Sequence, residues 1–227
     1  MGLAFSIEPM QVEHIAAVMA VERLSFPVPW PASAYKKEIQ SNRLAHYFVA
    51  RHVNERGEPV VALPDGAVAA GAAGSGDGIL GRLARWLVHD ATPALSEDEA
   101  EAMDARSVMG YAGMWILAGS DAHITTIAVH PLYRGRGIGE LLLIHCIDRA
   151  LETHAERMTL EVRVSNSVAK RLYEKYRFSV QGRRPRYYSD NGEDAEIMTT
   201  PQIDSPEYRA LLAQNRGELE ARLDREG

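Results

Sequence analysis

Apolar and polar residues alternate with two different periods along this chain. In the stretch 158–164, MTLEVRV, every second residue is apolar, which is typical of a half-buried strand. Beyond residue 140 the apolar residues recur at three- and four-residue spacing, which predicts one buried face of a helix. These residues are Leu143, Cys146, Ile147, Ala150 and Leu151. Strands mixed with amphipathic helices predict an α/β domain.

The same patterns place the other elements along the chain. Strands are predicted at 3–8, 46–51, 108–117, 124–129, 158–164, 178–188 and 195–200, and helices at 12–23, 32–41, 167–176 and from 206 onward. Asn166 is a predicted N-cap, and Pro206 stands at a first helical position. The Asn191-Gly192 pair predicts a hairpin turn between the last two strands.

Residues 54–107 interrupt this order between the second and third strands. The part 66–78 is a flexible mixture of glycine and alanine, and 80–87 has apolar residues at helical spacing. The segment is predicted to be a helical insertion folded back on the domain, although a membrane-surface or partner helix is an alternative. The chain is therefore expected to have one domain over 1–200, with the insertion inside it, and a helical tail over 201–227 that serves packing or dimer formation.

A glycine-rich loop joins the strand 124–129 to the following helix. After His130-Pro131 breaks the strand, the chain reads Arg134-Gly-Arg-Gly-Ile-Gly139. Backbone N–H groups at the start of a helix can surround an anion, so a pyrophosphate is the expected ligand. The spacing fits neither GxxxxGK[ST] nor GxGxxG, but it fits R-x-x-G-x-G. By itself, the loop could also be a turn that only connects two elements, although this is the less favoured interpretation.

Composition excludes several classes of protein. The net charge of −6 over 227 residues argues against a general nucleic-acid binder. The single cysteine, Cys146, lies on an apolar helix face, so it is predicted to be a core thiol and not a nucleophile. The eight histidines lack metal-binding spacing, so no metal is expected. Without a signal peptide or an apolar run of about 18 residues, the protein is expected to be soluble and cytoplasmic.

Several segments together resemble one family of enzymes, the bacterial ribosomal-protein-alanine N-acetyltransferases, or RimI family, of the GNAT superfamily. They are ITTIAVHP with the glycine loop, SFPVPW at 25–30, HYFVAR at 46–51, and the stretch Leu160–Met198. The similarity covers nearly the whole chain apart from the insertion and the last helix. It implies a mixed, mostly antiparallel sheet flanked by helices, and transfer of acetyl from acetyl-CoA to the N-terminal α-amine of a protein.

The resemblance also implies roles for particular residues. It makes Glu161 the general base and Tyr173 the general acid. The backbone of Ile127, Ala128 and Val129 would pair with pantetheine. The pyrophosphate would be held by Arg134, Gly135, Arg136, Gly137, Ile138 and Gly139, and Asn166 would contact the cofactor beside the thioester. The peptide would lie between Phe26 and Trp30 on one wall and Tyr187 and Tyr188, placed at a strand end, on the other.

These roles agree with the chemistry, although each side chain has a purely structural alternative. A carboxylate can accept the proton of an attacking amine, and a tyrosine can protonate the departing thiolate, so no covalent intermediate is needed. Glu161 could instead pair with Arg163 or Lys170, and Tyr173 could be a packed core residue. Three arginines near the predicted hairpin could contact substrate or phosphate, or face solvent. They are Arg183, Arg184 and Arg186.

The sequence therefore predicts a protein N-terminal acetyltransferase with a protein N-terminus as its partner, such as the N-terminal alanine of a ribosomal protein. It is expected to be a monomer or weak homodimer. A lysine or small-amine acetyltransferase is the first alternative. An α-amine, with a pKa of about 7.7–8.0 against about 10.4 for lysine, is the easier substrate for one carboxylate base. A non-catalytic acyl-CoA-binding module is the second alternative.

Overall fold

The computed structural model describes residues 4–53, 108–117 and 121–226. Its strands are β1 (Ala4–Pro9), β2 (Ala45–Val53), β3 (Val108–Leu117), β4 (Asp121–Val129), β5 (Arg157–Arg163), β6 (Ser179–Arg184) and β7 (Ala195–Thr199). Its helices are α1 (Ile15–Ser25), α2 (Ala32–Ser41), α3 (Ile138–Glu152), α4 (Ser167–Lys175) and α5 (Pro206–Glu226), with 3₁₀ turns at Val12–His14 and Pro131–Tyr133. The predicted insertion 54–107 lies outside the described residues.

The strands form one seven-stranded sheet in the order β1-β2-β3-β4-β5-β7-β6. Neighbouring strands run antiparallel, except that β4 and β5 are parallel. The prediction of a mixed, mostly antiparallel sheet flanked by helices is therefore confirmed.

The parallel pair β4–β5 separates partway along its length. Paired residues run from Asp121 with Arg157 to Ile124 with Leu160, whereas β4 continues to Val129. A register shift against β3 leaves Thr125 as an extra residue on β4, and such a bulge bends the strand that carries it. The strands diverge beyond Ile124 and Leu160, and we call the gap between 125–129 and 161–163 the β4–β5 wedge.

Two apolar clusters cover the two faces of the sheet. Successive residues of β2 alternate between them, since Tyr47 and Val49 pack with α1 whereas Phe48 and Ala50 pack with α3. Cys146 of α3 is fully buried, and burial raises the pKa of its thiol to about 12, so it is the predicted core residue.

Helix α5 packs firmly on the domain. Pro206 is its first residue as predicted, and Ser205 Oγ accepts a hydrogen bond from the backbone N–H of Tyr208. The Tyr208 hydroxyl donates to the Tyr176 carbonyl at 3.0 Å, and Arg216 donates to both carboxylate oxygens of Asp148 at 2.6 and 2.8 Å. None of the described helices has the length and apolarity of a membrane span.

The predicted strand 178–188 is too long, because β6 ends at Arg184. Pro185 has no N–H for the ladder, and Arg186 has a left-handed backbone with φ of 50°. Tyr187 and Tyr188 therefore lie in the connection between β6 and β7, not at a strand end. The predicted turn is present, with Gly192 at φ 69° donating to the Tyr188 carbonyl, but it lies beyond the end of the ladder.

Candidate active site

Two glycines of the loop that precedes α3 have a left-handed backbone. Gly135 and Gly137 have φ of 80° and 81°, values that favour glycine, and Gly137 is the N-cap of α3. A Cβ at Gly135 would meet no atom within 4 Å, so this part of the loop is open to a ligand. Arg134 bends back to donate from Nε to the Val129 carbonyl at 3.1 Å. These features fit the predicted pyrophosphate site.

His130 fixes the turn that leads from β4 into this loop, a role that the sequence did not reveal. The side chain is buried, and its Nδ1 accepts a hydrogen bond from Leu132 N–H at 3.3 Å. Burial, together with the nearby charge of Arg134, lowers the pKa of His130 to about 4. The imidazole is therefore neutral near pH 7 and remains an acceptor for that N–H.

The backbone of Ile127, Ala128 and Val129 lies at the β4–β5 wedge. On one side these residues pair with β3, where Val129 lies opposite Gly110. On the other side the pairing with β5 has already ended at Ile124. An extended arm such as pantetheine can therefore add to this edge as another strand would.

Glu161 is the first residue of β5 beyond the last paired residue, Leu160. Its side chain is only 9% exposed, with Oε2 3.0 Å from His123 Nε2 and Oε1 3.1 Å from Arg184 Nη2. The hydrogen bond from His123 lowers the pKa of Glu161 against the opposing effect of burial, and the charge of Arg184 lowers it further. The carboxylate is therefore ionised at the mouth of the wedge.

The alternative partners of Glu161 that the sequence suggested are wrong. Arg163 instead bonds Asp190 at 2.8 Å and Glu193 at 3.2 Å, in the β6–β7 connection. Lys170 pairs with Glu196 at 2.8 Å. Of the three arginines near the predicted hairpin, Arg184 reaches Glu161 and Arg183 reaches Glu196, so both bind acidic groups of the chain itself.

His123 is a site residue that the sequence analysis missed. Its Nδ1 lies 2.7 Å from Thr159 Oγ1, the residue opposite it on β5, while Nε2 faces Glu161. A histidine inside a run of β-branched residues is the available signal. Which residue it contacts depends on the parallel register of β4 and β5, and that register is not visible in the local pattern.

Tyr173 lies on α4 and is buried, with its ring centroid 5.8 Å from that of Phe178. Burial raises the pKa of its hydroxyl, and Tyr188 and Cys146 contribute to the same direction. The hydroxyl is therefore protonated at neutral pH, as a proton donor must be. Tyr173 also belongs to the main apolar cluster, so packing is one of its roles. Its catalytic role stays a prediction.

Asn166 is the N-cap of α4, as predicted. Its side-chain oxygen accepts a hydrogen bond from Ala169 N–H at 3.1 Å. The side chain is exposed. Its predicted contact with the cofactor stays a prediction.

The loop that carries Phe26 and Trp30 is held by a buried carboxylate. Glu22 accepts hydrogen bonds from Trp30 N–H at 2.8 Å and from the Tyr35 hydroxyl at 3.1 Å. Burial raises the pKa of Glu22 although both bonds oppose this change. Trp30 is 41% exposed, whereas Phe26 is half-buried against the cluster on the α1 side.

The other predicted wall is held by Arg163. Its guanidinium lies 3.8 Å from the centre of the Tyr188 ring while it bonds Asp190 and Glu193. Burial raises the pKa of Tyr188 to about 12, although the nearby charge of Arg163 opposes this change. Tyr187, its neighbour, is 46% exposed. Each loop thus carries one exposed aromatic residue, and a charged side chain holds the loop in place.

Comparison with solved structures supports the fold. The Escherichia coli ribosomal-protein-S18-alanine N-acetyltransferase superposes with a TM-score of 0.57 at 20% identity, over 88% of this chain and 94% of that one. A chain of the NatC complex bound to Gag peptide and CoA has a TM-score of 0.57 at 21% identity, over 88% and 99% of the two chains. At these identities the likeness shows a shared fold.

Sequence comparison goes further. The acetyltransferase (GNAT) family matches residues 82–178. A Bacillus subtilis (strain 168) protein named as a candidate ribosomal protein bS18-alanine N-acetyltransferase is 32% identical over 193 residues, 85% of this chain and 93% of that protein. The Escherichia coli (strain K12) ribosomal protein bS18-alanine N-acetyltransferase is 41% identical over 83 residues, 36% of this chain and 56% of its own length. The chain therefore belongs to the GNAT family of acetyltransferases, in its ribosomal-protein-alanine N-acetyltransferase branch.

Proposed function

We propose that this enzyme transfers acetyl from acetyl-CoA to the N-terminal α-amine of a protein, with the N-terminal alanine of a ribosomal protein in the cytoplasm as its expected substrate. The names of its relatives support this substrate. The observation that carries the proposal is the position of Glu161, an ionised carboxylate that begins the open part of the β4–β5 wedge.

Acetyl-CoA would supply the activated acetyl thioester. The N–H groups of Gly135 to Gly139 would hold its pyrophosphate at the start of α3. The backbone of Ile127 to Val129 would bind the pantetheine arm along the open edge of β4. Asn166 would contact the cofactor beside the thioester.

Glu161 would accept the proton that the attacking amine loses. Because its pKa is lowered, Glu161 is a weak base, and a substrate that is already partly neutral at pH 7 suits it best. An α-amine has a pKa of about 7.7–8.0, against about 10.4 for lysine, so its neutral form is more than a hundredfold more abundant. This difference favours an N-terminus over a lysine side chain.

The other two groups would complete the proton transfer. His123 fixes the direction of the Glu161 carboxylate through its bonds to Oε2 and to Thr159. Tyr173, kept protonated by burial, would donate to the thiolate that leaves.

Peptides that separate the two kinds of amine test this proposal. One peptide begins with a free alanine and contains an internal lysine, and its twin has the same sequence with a blocked N-terminus. We expect mass spectrometry to find acetyl on the α-amine of the first peptide and none on its lysine. Acetylation of the blocked twin at a comparable rate would instead establish a lysine acetyltransferase.

A further inference from the structure

Helix α5 reaches the glycine loop from the far end of the chain. A Cβ built on Gly137 would lie 2.8 Å from Leu219 Cδ1, 3.1 Å from Arg222 Nη2 and 3.3 Å from Leu223 Cδ2. Leu219 is 1% exposed, so this contact is part of the packed core. The side chains of α5 thus touch the residue that caps α3.

Arg222 enters this region through a bond to Glu140, which lies in the first turn of α3. An unpaired carboxylate there would repel a phosphate bound at the same helix start. Lys175 Nζ and the Tyr176 hydroxyl donate to Glu140 Oε1 at 2.7 and 2.8 Å, and Arg222 Nη2 donates to Oε2 at 2.8 Å. Burial would raise the pKa of Glu140, but these bonds outweigh it and lower the pKa.

The guanidinium of Arg222 has donors beyond this one bond. A guanidinium carries five N–H groups in one plane, and Nη2 is the nitrogen that bonds Glu140. Its Nε is buried and has no acceptor among the described residues, whereas the side chain as a whole is 39% exposed, so a ligand would be met by the Nη groups. A planar cation with an unused Nη donor, next to the predicted pyrophosphate loop, is suited to a diphosphate oxygen.

We propose that Arg222 is a further acetyl-CoA-binding residue, which α5 supplies to the pyrophosphate beside Gly137. The proposal rests on the proposed function, because it needs acetyl-CoA as the ligand. It makes the C-terminal helix part of the cofactor site. It also explains why a carboxylate can stand in the first turn of α3, since Arg222 and Lys175 counter its charge.

Calorimetric titration of the full-length protein with CoA tests this role. We expect Arg222→Ala to raise the Kd about tenfold, as the loss of one charge-assisted hydrogen bond does. Arg225→Ala removes the same charge from an exposed position on the same helix and should leave the Kd unchanged. The tenfold loss should persist with 3′-dephospho-CoA, which keeps the diphosphate.

Two further measurements separate phosphate binding from a structural effect. With S-acetyl-pantetheine, which has no phosphate, the KM of Arg222→Ala should equal that of the wild type, whereas damage that spreads to the β4–β5 wedge would raise it. Glu140→Gln should lose much less CoA affinity than Arg222→Ala, because it removes a negative charge and retains the Arg222 cation, although its amide cannot accept from all three donors. An equal loss of affinity in Glu140→Gln and Arg222→Ala would overturn the proposal in favour of a purely structural cluster. Failure of the wild type to bind CoA would contradict the proposed function itself.

Discussion

Glu161 and Glu140 are two buried carboxylates with basic partners, but the regions around them are built differently. Their side chains are 9% and 8% exposed, and partners lower the pKa of both. Glu161 lies on a strand at an open wedge, and its partner Arg184 is 54% exposed. Glu140 lies under two packed helices and accepts from three donors. Glu161 is therefore placed where the proposed base must lie, whereas Glu140 holds two helices against α3.

Replacing each carboxylate by its amide is the most direct test of this difference between Glu161 and Glu140. We expect Glu161→Gln to lose kcat by about 10²–10⁴ if proton transfer limits the rate, whereas Glu140→Gln should keep kcat near the wild-type value. Without its base, Glu161→Gln should depend on amine that deprotonates by itself, so its rate should climb as pH passes about 8. Steady-state kinetics from below to above pH 8 measure kcat for both variants.

Tyr173→Phe is the companion variant. It should lose kcat by a similar factor but gain nothing at high pH, because the function removed is an acid. Both variants should still bind CoA in a calorimeter. A near-normal kcat for Glu161→Gln at every pH would place the base elsewhere.

The second prediction concerns stability. A carboxylate with a lowered pKa contributes stability above its unfolded pKa of about 4.3, and this contribution is lost as pH falls through the folded value. Glu140→Gln should therefore cost about 2 kcal/mol at pH 7, and the cost should shrink as the medium becomes acidic. Urea denaturation of both proteins at pH 7 and at pH 3 measures it. The same loss at both values would mean that the charge of Glu140 does not matter.

The third prediction concerns Arg184, the exposed partner of Glu161. Arg184→Ala removes a positive charge, so the pKa of Glu161 should rise and the acidic limb of kcat/KM should move to higher pH. Added salt should reduce the difference from wild type, because Arg184 is more than half exposed. Arg183→Ala is the matched control, since Arg183 is equally exposed but bonds Glu196. If the acidic limb of kcat/KM moved equally in both variants, the effect would not come from the specific contact between Arg184 and Glu161.

Local patterns predicted the elements of both regions, but not how they meet. Helix 32–41 and strand 108–117 have the predicted bounds, and Asn166 caps α4 as expected. The contact of His123 with Glu161 depends on the register of two strands, and the contact of Arg222 with Glu140 depends on how a distant helix docks. Neither contact leaves a periodic pattern in the sequence. Pro185, by contrast, was a visible signal that the last long strand had to end earlier.

The smallest expected effect concerns Asn166, which has a structural contact near the Glu161 region and a proposed cofactor contact. Asn166→Ala should cost about 1 kcal/mol of stability, because it removes the cap on Ala169 N–H. Asn166→Ser keeps a neutral capping oxygen but removes the amide N–H donors, so its stability should stay close to wild type. If the amide also binds acetyl-CoA, Asn166→Ser should raise the KM for acetyl-CoA a few-fold while leaving the KM for the peptide unchanged. Thermal denaturation and steady-state kinetics on both variants separate the two roles. A serine variant with wild-type kinetics would leave Asn166 as a helix cap alone, and the proton-transfer roles of Glu161 and Tyr173 would not depend on it.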